Sequence, residues 1–230
     1  MKNRDNSTSH LASDFDVQVA DTLPYYQSFH EETVNLIKAM DIQPQTWLDT
    51  GCGTGTLVNR AIKEFPETKF ILCDPSVEML HQAQQKLKSY PFGDFLFLKP
   101  LPTQDFPPEL CASPDVITAI QSHHYLSFDK RKMATQACYQ LLKEGGVYIT
   151  FENVRPSTDE GIEIGKRYWK NFQLRGKRDS QAVDVHLARF DREFFPITVE
   201  EHLDLLREIG FRVVELFWYS YMQAGFYGIK

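Results

Sequence analysis

The chain has 230 residues, 42% hydrophobic and 24% charged, ordinary proportions for a globular protein with one sizeable core. With 25 Lys and Arg against 31 Asp and Glu, its formal net charge is −6, which argues against broad, sequence-independent nucleic-acid binding, since that needs clustered cations. No apolar run reaches membrane-spanning length. Cys52, Cys73, Cys111 and Cys138 show neither CxxC spacing nor a disulfide framework, so thiols in a reducing cytoplasm are expected.

Residues 1–14 are polar and lack an apolar signal core, so a flexible N-terminus is expected there, ahead of a single domain over 15–230. Pro24–Met40 reads as a helix. Trp47-Leu48-Asp49 then ends an apolar strand in an acid, and Gly51, Gly53 and Gly55 follow at alternate positions. Leu57, Val58, Ala61, Ile62 and Phe65 mark a helix directly after them. Glycine permits positive φ and leaves room for a ligand against the main chain, and the helix's unbonded N–H groups point into that room. A dinucleotide fingerprint needs a further glycine at the sixth position, which here is Thr56 or Val58, so NAD is disfavoured.

Phe70–Cys73 reads as a second buried strand ending in Asp74, with Pro75 and Ser76 opening a helix that carries Met79 one turn in. A carboxylate at such a strand end can accept both hydroxyls of a ribose. Prolines make Asp105–Pro114 a loop, and Asp115–Ile120 is a further strand, followed by Gln121-Ser122-His123-His124. Asp129–Leu142 shows Met133, Ala137 and Leu141, with Ala134 and Cys138, at helical spacing, and Gly145-Gly146 turns the chain into a strand from Val147. Alternation of strands and helices from Trp47 to Phe151 predicts a parallel sheet covered on both faces. Residues 153–195 break it with a helical, aromatic and basic stretch containing Lys166, Arg167, Tyr168, Trp169, Lys170, Phe172, Arg175, Lys177, Arg178 and Arg189. Thr198 with Glu201 then forms a capping box for a helix stopped by Gly210, and Phe211–Trp218 and Tyr221–Lys230 are the last strands.

Four of these segments, in this order, resemble the motifs of class I S-adenosylmethionine-dependent methyltransferases. Asp49–Gly55 resembles motif I, Asp74 the ribose acid, Asp115–His124 motif IV, and Leu141–Ile149 the turn into strand five; together they span about residues 45–152. The resemblance implies an α/β, Rossmann-like fold: a seven-stranded, mostly parallel sheet with an antiparallel C-terminal hairpin and helices on both faces, with 153–195 a substrate cap. It implies S-adenosyl-L-methionine as cofactor, S-adenosyl-L-homocysteine as product, and a site from Asp49, Gly51, Cys52, Gly53, Thr54, Gly55, Asp74, Pro75, Met79, Ala119 and Gln121. An acid at the first strand end suits a cationic sulfonium better than a phosphate. The family's acid after strand three is missing from Leu98–Asp105, which leaves adenine to Leu101, Thr103 or Gln104. In layout the chain also resembles the tRNA wobble-uridine carboxymethyltransferase, carboxy-SAM group, through Pro24-Tyr25-Tyr26, the helical insertion and Arg189 nine residues before Thr198. That implies Tyr26 on the cofactor and Arg189 gripping an extra carboxylate across a dimer, a task suited to a guanidinium.

The expected reaction is in-line methyl transfer, which needs alignment and desolvation more than a catalytic dyad. No Asn/Asp/Ser-Pro-Pro-aromatic motif and no Pro-Cys nucleophile is present, so a small-molecule acceptor is expected. The basic insertion is either a solvated helix face or the grip on an anionic acceptor, with Tyr168, Trp169 and Arg189 around it. His123 and His124 are the candidate general bases, or else orient the loop by packing. No metal set is expected, since His30-Glu31-Glu32-Thr33-Val34 lacks the second histidine of HExxH. A monomer or homodimer without nucleic-acid or membrane partners follows, with the carboxy-SAM enzyme acting on tRNA and a non-catalytic cofactor-binding protein as alternatives.

Overall fold

The computed structural model describes residues 4–110, 113–176 and 178–230; Cys111 and Lys177, named above, lie outside the described residues. Two helices open the chain, α1 (Phe15–Thr22) and α2 (Tyr26–Ala39). The alternating core follows: β1 (Thr46–Thr50), α3 (Thr56–Ala61), β2 (Lys69–Cys73), α4 (Val77–Leu87), β3 (Asp94–Phe97), β4 (Val116–Ile120), α5 (Phe128–Leu141) and β5 (Val147–Asn153). The insertion supplies α6 (Asp159–Arg175) and α7 (Ser180–Leu187), and the chain ends with α8 (Val199–Ile209), β6 (Val213–Ser220) and β7 (Gln223–Ile229).

The sheet order is β3-β2-β1-β4-β5-β7-β6. The first five strands are parallel, and β7 runs antiparallel to both β5 and β6. The expected Rossmann-like architecture with its C-terminal hairpin is therefore present. Chain order reverses between β1 and β4, the topological switch point, and a crevice opens beyond the carboxyl ends of those two strands. Successive strand residues point to opposite faces, which explains the two cores. Leu48, Ile71, Ile117 and Tyr148 pack with α5 and α8 on one face, and Trp47, Phe70, Val116 and Ile149 with α2, α3 and α4 on the other. Trp47 is fully buried, and its indole N–H donates to Thr118 Oγ1 at 2.9 Å, which in turn donates to Asp49 Oδ1 at 2.7 Å. Core packing thus sets the direction of the acid at the end of β1.

The last core helix ends as its sequence dictates: Thr198 and Glu201 form the capping box, and Gly210 closes α8 at φ +114°. The insertion folds as a layer of its own, around Ile162, Trp169, Phe190 and Phe194. The N-terminal segment packs against the core. From Arg4 onward it lies as a strap over the crevice, with Asp5 O accepting from Ser76 Oγ at 2.9 Å and His10 bridging Gln18 and Thr22, each at 2.8 Å. Its polar side chains are used in local turns, Asn6 to His10 O and Thr8 N to Asn6 Oδ1, a use that composition does not distinguish from solvation. Among the described residues no helix is long and apolar enough to cross a membrane.

Candidate active site

The three loop glycines do three different jobs. Gly51 has φ +62°, and a Cβ there would sit 2.4 Å from Ser122 Cβ, so this glycine lets the β1 turn press against the loop after β4. Gly55 has φ +72°, and its Cβ would meet Ala83 Cβ at 3.1 Å, so it lets α3 start close to α4. Gly53 has φ +53° with nothing within 4 Å of a built Cβ, and it borders a cavity of about 270 Å³. Gly53 therefore keeps ligand space open, where Gly51 and Gly55 serve close approach of backbone.

That cavity lies at the switch point. Tyr26, Asp49, Gly51, Cys52, Gly53, Thr54, Asp74, Pro75, Met79, Thr103, Gln121 and His123 all line it, so the structure brings together most of the site expected from sequence. Asp74 Oδ2 accepts from Gly53 N at 2.9 Å and Oδ1 from Ser76 N at 2.8 Å, which ties the two strand-end loops together. Burial raises its pKa above the usual carboxylate range. Asp49 is 2% exposed; burial, and secondarily the Asp74 charge, push it up to about 7 against the hydrogen bond from Thr118. Thr54 borders the cavity, yet its hydroxyl donates to Asp16 Oδ1 at 2.6 Å, and Lys86 bridges the same aspartate at 2.8 Å. That cluster docks α1 onto the glycine loop.

Several expected residues stand elsewhere. Gly55, Leu101 and Ala119 do not line the cavity: Leu101 O accepts from Cys73 Sγ at 3.2 Å, and Ala119 O lies 2.8 Å from Thr150 Oγ1. His124 is also outside it, because its Nδ1 pairs with buried Glu152 at 2.8 Å. Burial lowers the His124 pKa, so the imidazole is neutral and donates Nδ1–H to the carboxylate. Tyr168 stacks on Tyr221 at 4.1 Å on the surface, and Trp169 is core, its indole N–H donating to Thr22 O at 2.7 Å. Arg189 donates to Ser7 O and, at 2.9 Å, to Glu193 Oε2, one peptide behind the cavity wall. Helical periodicity placed these groups on the cap but not which way the cap faces.

The sequence reading missed the strap residues Asp5, Asn6, Ser7 and Thr8, as well as Phe15, His30, Ser76 and Tyr125, all of which line the cavity. Ser76 alone carried a signal, as an N-cap next to Asp74; its side chain accepts from Met79 N. Among the described residues, His30 Nδ1, Gln104 Oε1, both Gln121 amide atoms and Ser122 Oγ are buried without a hydrogen-bond partner, and all belong to cavity-lining residues. Orphaned polar atoms gathered at one cavity indicate a polar ligand. Two strand-end carboxylates, an open glycine loop and Met79 suit an adenosyl-sulfonium molecule.

Residues 48–148 match the family model described as a methyltransferase domain. Similar curated proteins include the carboxy-S-adenosyl-L-methionine synthase of Campylobacter lari, 22% identical over 90% of this chain and 86% of that protein. The synthase of Trichodesmium erythraeum is 24% identical over 87% of this chain and 79% of its own. Among solved structures, the plantazolicin methyltransferase BpumL superposes with a TM-score of 0.69 at 15% identity, covering 95% of this chain and 90% of that one. Magnesium protoporphyrin IX methyltransferase from Synechocystis gives a TM-score of 0.63 at 15% identity, over 90% and 83%. The structural likenesses establish the fold, and the family model covers the strands that build the glycine loop and both carboxylates. Over residues 48–148, which hold the glycine loop and both strand-end carboxylates, the chain is similar to the methyltransferase-domain family.

Proposed function

We propose that this protein moves the methyl group of S-adenosylmethionine to a small acceptor seated between Tyr26, the 5–8 strap and the turn after β4. The observation that carries the reading is the single cavity with Gly53 and Asp74 on one side and the partnerless, buried Gln121 amide on the other. S-adenosylmethionine supplies a methyl already activated on a sulfonium, so the protein's part is alignment and exclusion of water. Asp74 is assigned to the ribose, and Gln104 Oε1 to the adenine amino group that the family's missing acid would otherwise meet. Asp49 sets negative charge beside the sulfonium.

Tyr26, Ile120, Tyr125 and Leu126 give the acceptor side apolar surface, and Ser7, Thr8 and Ser122 give it neutral polar groups. Among the described residues no Lys or Arg side chain lines the cavity, whereas Asp5 does. The acceptor is therefore read as neutral or basic, which departs from the anionic form considered above. Incubation with S-adenosylmethionine and a panel of small amines, phenols and carboxylic acids tests the proposal. Release of S-adenosylhomocysteine with a neutral or basic acceptor supports it; no turnover despite tight S-adenosylhomocysteine binding points to a non-catalytic binding protein.

One observation favours a second reading, chemistry on carboxy-S-adenosylmethionine. Arg189 stands directly behind the strap, and displacement of Ser7 would present its guanidinium to a carboxylate. The curated relatives are named as synthases of that molecule, which supports it as a ligand or product of this site. Mass spectrometry of the nucleoside that co-purifies separates the two: an added carboxylate supports the second reading, and unmodified S-adenosylmethionine or S-adenosylhomocysteine the first.

A further inference from the structure

Behind the cavity wall lies a chamber of about 10 Å³, lined by His123, Arg131, Thr135, Tyr148, Glu152 and His202 among others. Its volume is on the order of that needed by one water. The chamber is built from charged and polar groups that almost never go so deep: Arg131 is 1% exposed, Glu152 0%, His123 2% and His202 4%.

Most of their hydrogen-bonding capacity is filled. Glu152 accepts from His123 N at 3.1 Å and Thr150 Oγ1 at 2.7 Å on one oxygen, and from His124 N and Nδ1, both at 2.8 Å, on the other. Arg131 Nε donates to His123 O at 3.3 Å and Nη2 to Phe195 O at 2.6 Å. Tyr148 OH meets His123 Nδ1 at 3.1 Å. Three chamber atoms are left buried and without partners among the described residues: Arg131 Nη1, His123 Nε2 and His202 Nε2. One of these belongs to a fixed cationic donor and two to imidazoles.

We propose that the chamber holds one internal water, accepting from Arg131 Nη1 and donating to His123 Nε2 and His202 Nε2, and that Arg131, Glu152 and His202 are positioning residues for the turn carrying Gln121 and His123. Three hydrogen bonds are the usual complement of a buried water, and this arrangement satisfies all three orphaned atoms at once. The direction of each bond follows from the guanidinium. Its field favours imidazole lone pairs turned toward it and disfavours N–H dipoles there. Burial keeps both rings neutral, pushing His123 down to about 4 and His202 down to about 3. His202 is held in place by stacking on Phe226 at 4.6 Å.

The consequence reaches the cavity. Gln121 has φ +55°, a sparsely populated conformation for a residue with a side chain, and such a conformation persists only where its surroundings impose it. Here Glu152 accepts from the N–H groups of His123 and His124, two and three residues on, and Arg131 donates to the His123 carbonyl, so one buried carboxylate and one buried cation clamp the turn from both sides. The His123 imidazole is then committed to the interior. It holds the wall and takes no proton from the acceptor. The water site stands whatever the acceptor proves to be.

The test is long-range ¹H–¹⁵N NMR of histidine-labelled full-length protein, with a high-resolution crystal structure alongside. Expected are an unprotonated Nε2 on both His123 and His202, and a density peak within hydrogen-bonding distance of all three atoms. In His202→Phe the chamber loses an acceptor and the His123 Nε2 resonance shifts, while His202→Gln, which keeps an acceptor, restores it. S-adenosylhomocysteine binding weakens in His202→Phe and recovers in His202→Gln, because the water steadies the turn that carries Gln121 into the cavity. A protonated His123 Nε2 in the parent, a dry chamber, or an unmoved His123 resonance in a folded His202→Phe protein overturns the proposal. If that variant fails to fold, the parent spectrum and density decide.

Discussion

The floor and the roof of the cavity are specified in different ways. Each floor group lies within a few residues of a strand end: Asp49 and Gly51 to Gly55 after β1, and Asp74 and Ser76 after β2. The roof joins three distant stretches, residues 4–8, the turn after β4, and the cap near Arg189, whose bond to Ser7 O spans 182 positions of sequence. A floor built from local backbone geometry tolerates no change of backbone. A roof built from side-chain bonds between segments can be loosened one bond at a time, and the expected effects of substitution separate accordingly.

The largest effects fall on the floor and split within it. Gly51→Ala places a methyl 2.4 Å from Ser122 Cβ at φ +62°. The left-handed conformation costs a residue with a Cβ about 1–2 kcal/mol, and forced repacking adds roughly 1–3 kcal/mol. Chemical denaturation should therefore show a loss of about 2–5 kcal/mol. Gly53→Ala meets nothing within 4 Å and should lose only the conformational part, about 1–2 kcal/mol, on the same measurement. Its methyl enters the ligand space, so S-adenosylhomocysteine binding by calorimetry should weaken about tenfold or more, equivalent to about 1.4 kcal/mol. Equal stability losses in the two variants would break the distinction between an approach glycine and a ligand glycine.

This split also explains what was legible in the sequence. The strands other than β3, and α8 with its capping box, were readable because period, caps and glycines are local signals, whereas the antiparallel pairing of the last two strands came from the family resemblance. So were Asp49 and Asp74, which follow apolar runs. The chamber of Arg131, Glu152 and His202 was not, because nothing adjacent in sequence marks a buried charge whose partners lie on other elements. His123 and His124 are neighbours with opposite fates, one lining the cavity and one turned onto Glu152, and adjacency carries no information on which. The basic run of the insertion left a solvated face and a substrate grip both open, because composition records charge and not the carboxylates that pair with it, such as Asp184 with Lys170 at 2.5 Å.

On the roof, Arg189→Ala is expected to have the strongest effect. The side chain is 6% exposed, and its loss leaves Ser7 O and Glu193 without their guanidinium. A hydrogen bond to a charged group contributes about 1.5–3 kcal/mol, which here acts on strap closure. Faster release of S-adenosylhomocysteine in stopped-flow, with only a small change in unfolding midpoint, is the expected outcome. An unchanged off-rate would show that the strap does not cover the bound cofactor.

Asp49 links the floor to pH. Its carboxyl, raised to about 7, is largely protonated at pH 6, whereas a cationic ligand requires the carboxylate. Affinity for S-adenosylmethionine should therefore rise by about tenfold per pH unit below 7 and level off above it. Binding at pH 6 should release a proton, visible as a buffer-dependent calorimetric enthalpy, and Asp49→Asn should abolish both effects. For the ligand-free protein the sign runs the other way. The folded state holds this proton where the unfolded chain has lost it, so Asp49's contribution to stability declines as pH rises from the ordinary carboxylate range to about 7.

The smallest effect belongs to Arg4→Ala, and its smallness sharpens the roof. Arg4 pairs with Glu193 at 2.5 Å, but the two side chains are 45% and 40% exposed. Such pairs contribute about 0–1 kcal/mol, since water and salt screen them and two long side chains must be ordered. The strap retains the Arg189 bond to Ser7 O and the Ser76 bond to Asp5 O after this change. The S-adenosylhomocysteine off-rate should thus change by less than about twofold, and less again in high salt. An off-rate as fast as that of Arg189→Ala would place the strap's hold at its exposed tip instead of at its buried anchors, and would make closure of the roof a salt-sensitive event.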